Sequence, residues 1–199
     1  PITGLTMIVS IDIETRSRAD ISTVGAIAYA KHESTEVLCV SYKVDDKPVL
    51  SWYPGLPKPI YLIEAIKKGA FVSAFNAEFD VTVWNEKLSH FCVIDPAQVV
   101  DTKSIAAMAG IFGDLDTVAG ALGLPVSKDK DGKKLMLRLS KPDKKTDKFF
   151  PPSSSEFQDL VAYCEQDVLV ESEVLKKLAY IVSDFMTRER SVWERTYRM

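Results

Sequence analysis

Three short stretches of the 199-residue chain hold acidic side chains where the surrounding sequence would bury them. The first, Asp12-Ile13-Glu14, closes the apolar run Met7–Ile13. Strand side chains alternate faces, so Asp12 and Glu14 point the same way, about 7 Å apart along the backbone. Two carboxylates at the end of a buried strand repel each other and lose hydration, so something positive must neutralise them. Arg16 and Arg18 are near enough in sequence to do it. A bound cation is the other solution, since carboxylate oxygens suit hard ions such as Mg²⁺ or Mn²⁺. The second stretch, Asn76-Ala77-Glu78-Phe79-Asp80, opens a helix after a short strand. Asn76 suits the N-cap, and first-turn acids favour the helix dipole. Helical spacing also sets Asn76 near Asp80. The third, Tyr163-Cys164-Glu165-Gln166-Asp167, puts Tyr163 and Asp167 on one helix face among Leu160, Val161, Val168 and Val170. A buried aspartate there needs a partner, and the tyrosine hydroxyl would serve. Each motif alone has an ordinary structural explanation; their combination and order carry the argument.

The elements that must position these groups follow from periodicity. Met7–Ile13, Val24–Ala30, Thr35–Val44 and Val49–Tyr53 read as strands, the last ending at the Pro54-Gly55 turn. Consecutive strands with short connections predict an antiparallel meander. The period then changes. Helices are expected over Ile60–Lys68, Ala77–Leu88, Thr102–Ala109 and Leu115–Leu122, the last with Asp114 as N-cap. Short strands fall at Ala70–Ala74 and Val99-Val100. Residues 125–152 form a polar, proline-containing stretch in which Lys134–Leu139 has ordered character. Ser153–Ser155 caps a long helix from Glu156 to about Val182, and the tail Thr187–Tyr197 is also helical. The fold class is therefore α/β, a mixed sheet with antiparallel and parallel strands flanked by helices, in a single domain over residues 1–199.

Composition narrows the class. Hydrophobic residues are 46% and charged residues 27%, which excludes disordered, collagen-like and disulfide-scaffold chains. No apolar run approaches the length of a membrane helix, and no basic region precedes the first apolar stretch, so neither membrane insertion nor a secretory signal is expected. Cys39, Cys92 and Cys164 are scattered without a CxxC pair, which favours a reducing, cytoplasmic setting. The net charge of −3 conceals a division. Residues 128–148 carry nine Lys/Arg against four Asp, and residues 186–199 four Arg against two Glu, leaving −10 for the rest. An acidic body with basic outliers suits an enzyme that holds cations at its centre and grips a polyanion at its rim; lysines on a solvated loop would look the same.

A strand-borne D-x-E, then N-x-x-F-D, then Y-x-x-x-D on a late helix resembles the DnaQ-like 3′–5′ exonucleases, in the branch called DEDDy. The stretch from Ala121-Leu122-Gly123-Leu124 through Lys128-Asp129-Lys130-Asp131-Gly132-Lys133-Lys134-Leu135 to Lys141-Pro142 is similar to the proofreading domain of bacteriophage-type family A DNA polymerases. The resemblance spans about residues 7–182. It implies an RNase H-like fold and two Mg²⁺ or Mn²⁺ ions held by Asp12, Glu14, Asp80 and Asp167. Asp12 would bridge both ions. Glu14 and Asp167 would complete the site that binds the attacking water, and Asp80 would serve the ion that stabilises the departing 3′ oxygen. Tyr163 would orient the water. Thr15, Asn76 and Phe79 match substrate-holding positions, although Phe79 reads equally well as core. Lys128, Lys130, Lys133 and Lys134 are candidate contacts to the DNA backbone. The substrate implied is single-stranded DNA or a frayed 3′ end, cut to nucleoside 5′-monophosphates, with a polymerase domain as covalent or separate partner.

The histidines support the tyrosine branch. His32 and His90 lie away from every acidic motif, and Ala162 stands where the histidine branch has its histidine. Phosphate-binding and dinucleotide glycine motifs are absent from the sequence. Two alternatives remain open at this stage. One is an RNA 3′–5′ exonuclease of the same fold, and the other a catalytically silent module of that fold used for binding.

Overall fold

A computed structural model describes residues 7–125 and 130–179. Its centre is a five-stranded mixed sheet. Strand β1 spans Ile8–Arg16, β2 Glu36–Val44, β3 Leu50–Trp52, β4 Phe71–Ala74 and β5 Val99–Asp101. Their order across the sheet is β3-β2-β1-β4-β5. The first three pair antiparallel, and β4 and β5 extend the sheet in parallel with β1. The expected combination of meander and parallel strands is therefore present.

One meander strand was misplaced. Val24–Ala30 is not a strand but lies within helix α1, Ile21–Lys31. Ala is the best helix former, and Ala and Gly are poor strand residues. Asp20 caps the helix by accepting from the Ser22 amide. Gly25, at φ 76°, kinks it. Only Tyr29 and Ala30 are buried from this helix, while Ile21, Val24 and Ile27 stay exposed, so its apolar pattern never had a sheet to join.

The other helices fall near their expected places, except in the polar stretch, where a helix forms over Lys130–Leu139 although the sequence predicts only ordered character at Lys134–Leu139. They are α2 at Ile60–Lys67, α3 at Ala77–Lys87, α4 at Thr102–Met108, α5 at Leu115–Ala121, α6 at Lys130–Leu139 and α7 at Ser154–Lys177. Asp114 caps α5, and Ser153 with Glu156 forms a reciprocal capping box on α7. The tail Thr187–Tyr197, and α7 as expected to reach about Val182, lie partly or wholly outside the described residues.

Two apolar layers sandwich the sheet. On one face, Val9, Ile11 and Ile13 of β1 pack with Leu62 and Ile66 of α2 and Val83 and Trp84 of α3. On the other, Val100 meets α4, α5 and the end of α7 through Ile105, Val118, Val174 and Leu178. Strand alternation assigns the sides: the odd residues of β1 serve the first layer, and Ser10, Asp12 and Glu14 turn away from it. Trp52 and Trp84 are core residues.

Candidate active site

The site forms where the parallel strands end. β1 pairs with β4 only over Ile8–Ser10 opposite Phe71–Ser73. Beyond that, the Ile13 N–H has no strand partner on this side, and it donates to Asp80 Oδ1 at 3.0 Å. The first turn of α3 is thereby tied to the end of β1. Helix α7 closes the opposite wall, with the Cys164 thiol donating to the Asp12 carbonyl at 3.3 Å. A crevice at the carboxyl ends of parallel strands is where open α/β sheets place their ligands.

One cavity of about 380 Å³ is lined by Asp12, Glu14, Asp80, Tyr163 and Asp167 together. All five residues expected to do the chemistry are thus brought to one place from β1, α3 and α7. Thr15, Asn76 and Phe79 also line it. Thr15 is buried, and its hydroxyl is bonded to that of Tyr29 at 2.8 Å. Tyr29 in turn leans on Phe79, with ring centroids 5.8 Å apart. Phe79 is therefore both wall and packing residue.

The positive partners that sequence proximity suggests do not arrive. A β-bulge between Glu14 and Thr15 shifts the pairing register. The extra residue is Leu38 on β2, which brings Glu36 directly opposite Arg16. Arg16 pairs with Glu36 through its Nε at 2.9 Å, and Arg18 reaches Asp147 at 3.2 Å. Asn76 also departs from expectation. It is the first cap of α3, but its side chain accepts no amide there.

The electrostatics follow from carboxylates buried together, with burial and mutual repulsion outweighing any nearby cation. Asp12 Oδ2 is out of contact with solvent and has no hydrogen-bond partner. Burial pushes the Asp12 carboxyl up to about 6, against a smaller lowering by Cys164. Burial raises Asp167 to about 7, Asp12 adding to the effect and the Tyr163 hydroxyl opposing it. Glu14 and Asp80 stand well above the usual carboxylate range, first through burial and then through the neighbouring Asp12 charge. The Tyr163 phenol is also raised, by burial and then by the charge of Asp167. A hard divalent cation is what this donor set fits: oxygen ligands, excess negative charge and a buried oxygen with no partner. Among the described residues, no three Asp, Glu, His or Cys side chains already close around one point as a finished metal cage.

The basic segment is only partly at the site. Lys133 lies 3.9 Å from Asp114 and is near enough to Asp167 to oppose its rise. Lys134 pairs with Asp131 at 3.0 Å. Lys128 lies outside the described residues, and only the backbone of Lys130 is described. The lysine lining the cavity is Lys141, which sequence reasoning did not single out. Met136 and Ser140 accompany it, so α6 and the turn after it form a wall of the cavity. A helical run directly before Lys141 was the available signal.

No protein-family model matches the chain. A DNA polymerase of Bacillus phage SP02 is 34% identical over 182 residues, which cover 85% of this chain and 28% of that polymerase. The chain thus spans little more than a quarter of that relative's length. Among solved structures, the family B DNA polymerase from the hyperthermophilic archaeon Pyrobaculum calidifontis superposes with a TM-score of 0.56, covering 88% of this chain and 25% of that one at 14% identity. The Aedes aegypti Nibbler EXO domain gives a TM-score of 0.50, covering 89% of this chain and 81% of that one at 13% identity. The carboxylate motifs on β1, α3 and α7 lie on a mixed RNase H-like sheet, and the chain is a homologue of part of a phage DNA polymerase with the fold shared by these polymerase and EXO-domain structures.

Proposed function

We propose that the chain is a metal-dependent 3′–5′ exonuclease that releases nucleoside 5′-monophosphates from DNA 3′ ends, and that it is the proofreading domain of a family A DNA polymerase. The observation that carries the reading is the meeting of four carboxylates and Tyr163 in one cavity, where Asp12 Oδ2 is buried with no hydrogen-bond partner and the arginines nearest in sequence pair elsewhere. A silent binding module has no use for so costly a cluster. The polymerase homologue supports a role beside a polymerase domain. Family A rests on the resemblance of the lysine-rich segment, since a family B polymerase shares the fold. Action on nucleic acid within the cell accords with that homologue, and no helix among the described residues is long and apolar enough to cross a membrane.

In this reading Asp12, Glu14, Asp80 and Asp167 hold two Mg²⁺ or Mn²⁺ ions. Such a pair activates water and neutralises charge on both the attacking and leaving oxygens of a phosphodiester. Tyr163 stays protonated at neutral pH, so its hydroxyl orients the nucleophilic water and does not act as the base. Thr15, Asn76 and Phe79 hold the terminal nucleotide against the wall opposite α7. Lys141 stands at the cavity to meet backbone phosphate, with Lys133 beside α5 as a more distant contact.

The test is a gel assay on 5′-labelled single-stranded DNA and a matching RNA, with Mg²⁺, Mn²⁺ or EDTA. An Asp12→Ala/Glu14→Ala double variant is run alongside. A one-nucleotide ladder receding from the DNA 3′ end, absent with EDTA and in the variant, is expected. A ladder on RNA alone would replace DNA with RNA as substrate. No ladder on either, with the strand still bound, would make the chain a binding module.

A further inference from the structure

The turn between β4 and α3 has a backbone that its own side chains do not support. Asn76 lies in the left-handed region, at φ 76° and ψ 52°. Asn tolerates this conformation better than most residues, yet it still needs support. As the first cap of α3, Asn76 would ordinarily turn its side chain back onto the first-turn amides, and it does not. Those amides are met from another element. Asp101 Oδ1 accepts the Asn76 N–H at 3.1 Å and the Ala77 N–H at 3.4 Å. It also accepts the Lys103 N–H at 3.1 Å, while Oδ2 accepts the Ser104 hydroxyl at 2.7 Å. The parallel register sets Asp101 directly beside Ala74, two residues before Asn76. One carboxylate therefore caps its own helix, α4, and by reaching across the sheet it also caps α3.

Asp101 is not part of the cavity wall, whereas Asn76 lines it with Asp12, Glu14 and Asp80. The division of labour has a consequence for substrate. Because Asp101 takes over the capping, the Asn76 carboxamide carries no cap hydrogen bond, and a carboxamide at this lining position can donate to a phosphate oxygen or accept from a sugar hydroxyl. We propose that Asp101 is a positioning residue for substrate, holding Asn76 in the left-handed turn that presents its carboxamide to the terminal nucleotide. This deepens the exonuclease reading and rests on it. A charged acceptor makes the stronger hydrogen bond, but the neutral amide of Asn keeps an oxygen for the same backbone donors. Asp101→Asn should therefore largely preserve the turn, and Asp101→Ala should release it.

The experiment is a double-mutant cycle on Asp101→Ala and Asn76→Ala, with Asp101→Asn as the conservative control. Steady-state cleavage of a single-stranded oligodeoxynucleotide is read with Mg²⁺. The Kd of a 5′-fluorescein oligodeoxythymidylate is read by anisotropy in EDTA, and thermal unfolding confirms that each variant is folded. Asn76→Ala and Asp101→Ala should each raise KM and Kd about tenfold, with kcat changed less than about threefold. The double variant should also stay near tenfold, where independent effects would multiply to about a hundredfold. Asp101→Asn should stay within about threefold of wild type. Unchanged KM and Kd in folded Asp101→Ala, a multiplicative double variant, or an Asp101→Asn as impaired as Asp101→Ala would each overturn the proposal. Variants that show the cycle in Kd beside a wild-type chain that cuts nothing would overturn the exonuclease reading and leave the positioning role supported. A chain that neither binds nor cuts would overturn both.

Discussion

Replacing Asp12 with Asn should stabilise the metal-free protein at neutral pH. The Asp12 carboxyl titrates near 3.8 when unfolded and at about 6 in the folded chain. On folding, the acid must either keep its proton or give up hydration that no cation replaces. The stability associated with this group is full below 3.8, falls as pH rises toward and through about 6, and is flat above that. At about 1.4 kcal/mol per tenfold change in the proton equilibrium, the loss reaches about 3 kcal/mol at pH 8 and roughly half of that at pH 5. Asn has the same shape and no charge, but its amide must itself be buried, so the net gain at pH 8 should be about 1–3 kcal/mol. For a chain of this length that raises Tm by several degrees, at about 2–4 °C per kcal/mol. Urea titrations in EDTA at several pH values measure it. The difference between wild type and variant should grow from pH 5 to pH 8. Mn²⁺ at 100 times its Kd should then shift the comparison toward wild type by about 2.7 kcal/mol, since the ion stabilises only the chain that binds it. A variant less stable than wild type in EDTA at pH 8, or a difference independent of pH, would refute the view that Asp12 is buried without compensation.

Three further outcomes can be checked on the same protein. Glu171 is buried one helical turn beyond Asp167 and accepts the Thr102 hydroxyl and, at 3.4 Å, that of Ser73, which is itself bonded to Ser10. Glu171→Ala would leave these hydroxyls without their acceptor and open a cavity, costing about 3–5 kcal/mol in urea titration, while Glu171→Gln keeps an acceptor and should cost less than half of that. Tyr163→Phe should lower kcat by about 10–100-fold with KM and Tm nearly unchanged, and the wild-type rate should show no tyrosine limb up to pH 10, because burial holds that phenol above its ordinary range. Arg18 pairs with Asp147 and stacks 5.2 Å over the Phe149 ring, but both ionic partners are largely solvent-exposed. Arg18→Ala should therefore change global stability by less than about 1 kcal/mol. It should nonetheless quicken chymotryptic cleavage at Phe149-Phe150, and an unchanged cleavage rate would show that the contact does not hold that segment.

The carboxylates were legible in the sequence because their signal is local. A strand alternates, so Asp12 and Glu14 had to share a face, and a helix repeats, so Tyr163 and Asp167 had to lie together. Their apolar surroundings announced burial, and buried acids without partners are uncommon enough to mark a site. The helix mistaken for a strand, Val24–Ala30, shows where local reading is weakest. A short apolar run has no decisive period, and its Ala content and the cap at Asp20 were the better guides.

What the sequence hid depends on register and on contacts across the chain. Simple alternation along β1 would put Arg16 on the face of Asp12 and Glu14, where it would neutralise them and make the cluster ordinary. The pairing with β2 skips Leu38 and sets Glu36, which takes the guanidinium, directly opposite Arg16. The extra residue is Leu38 on β2, so nothing in the sequence around Glu14 announces the shift. Asp101 is a parallel case. Locally it reads as an ordinary N-cap of α4, and only the register of β5 against β4 brings it to the amides of Asn76 and Ala77. In both cases an interaction between strands decides what a charged side chain does. One withholds a cation from the carboxylates, which leaves Asp12 Oδ2 without a partner, and the other turns a capping group into the support of a cavity wall. The chemistry could be read from residue types, but the arrangement that makes it usable is a property of the sheet.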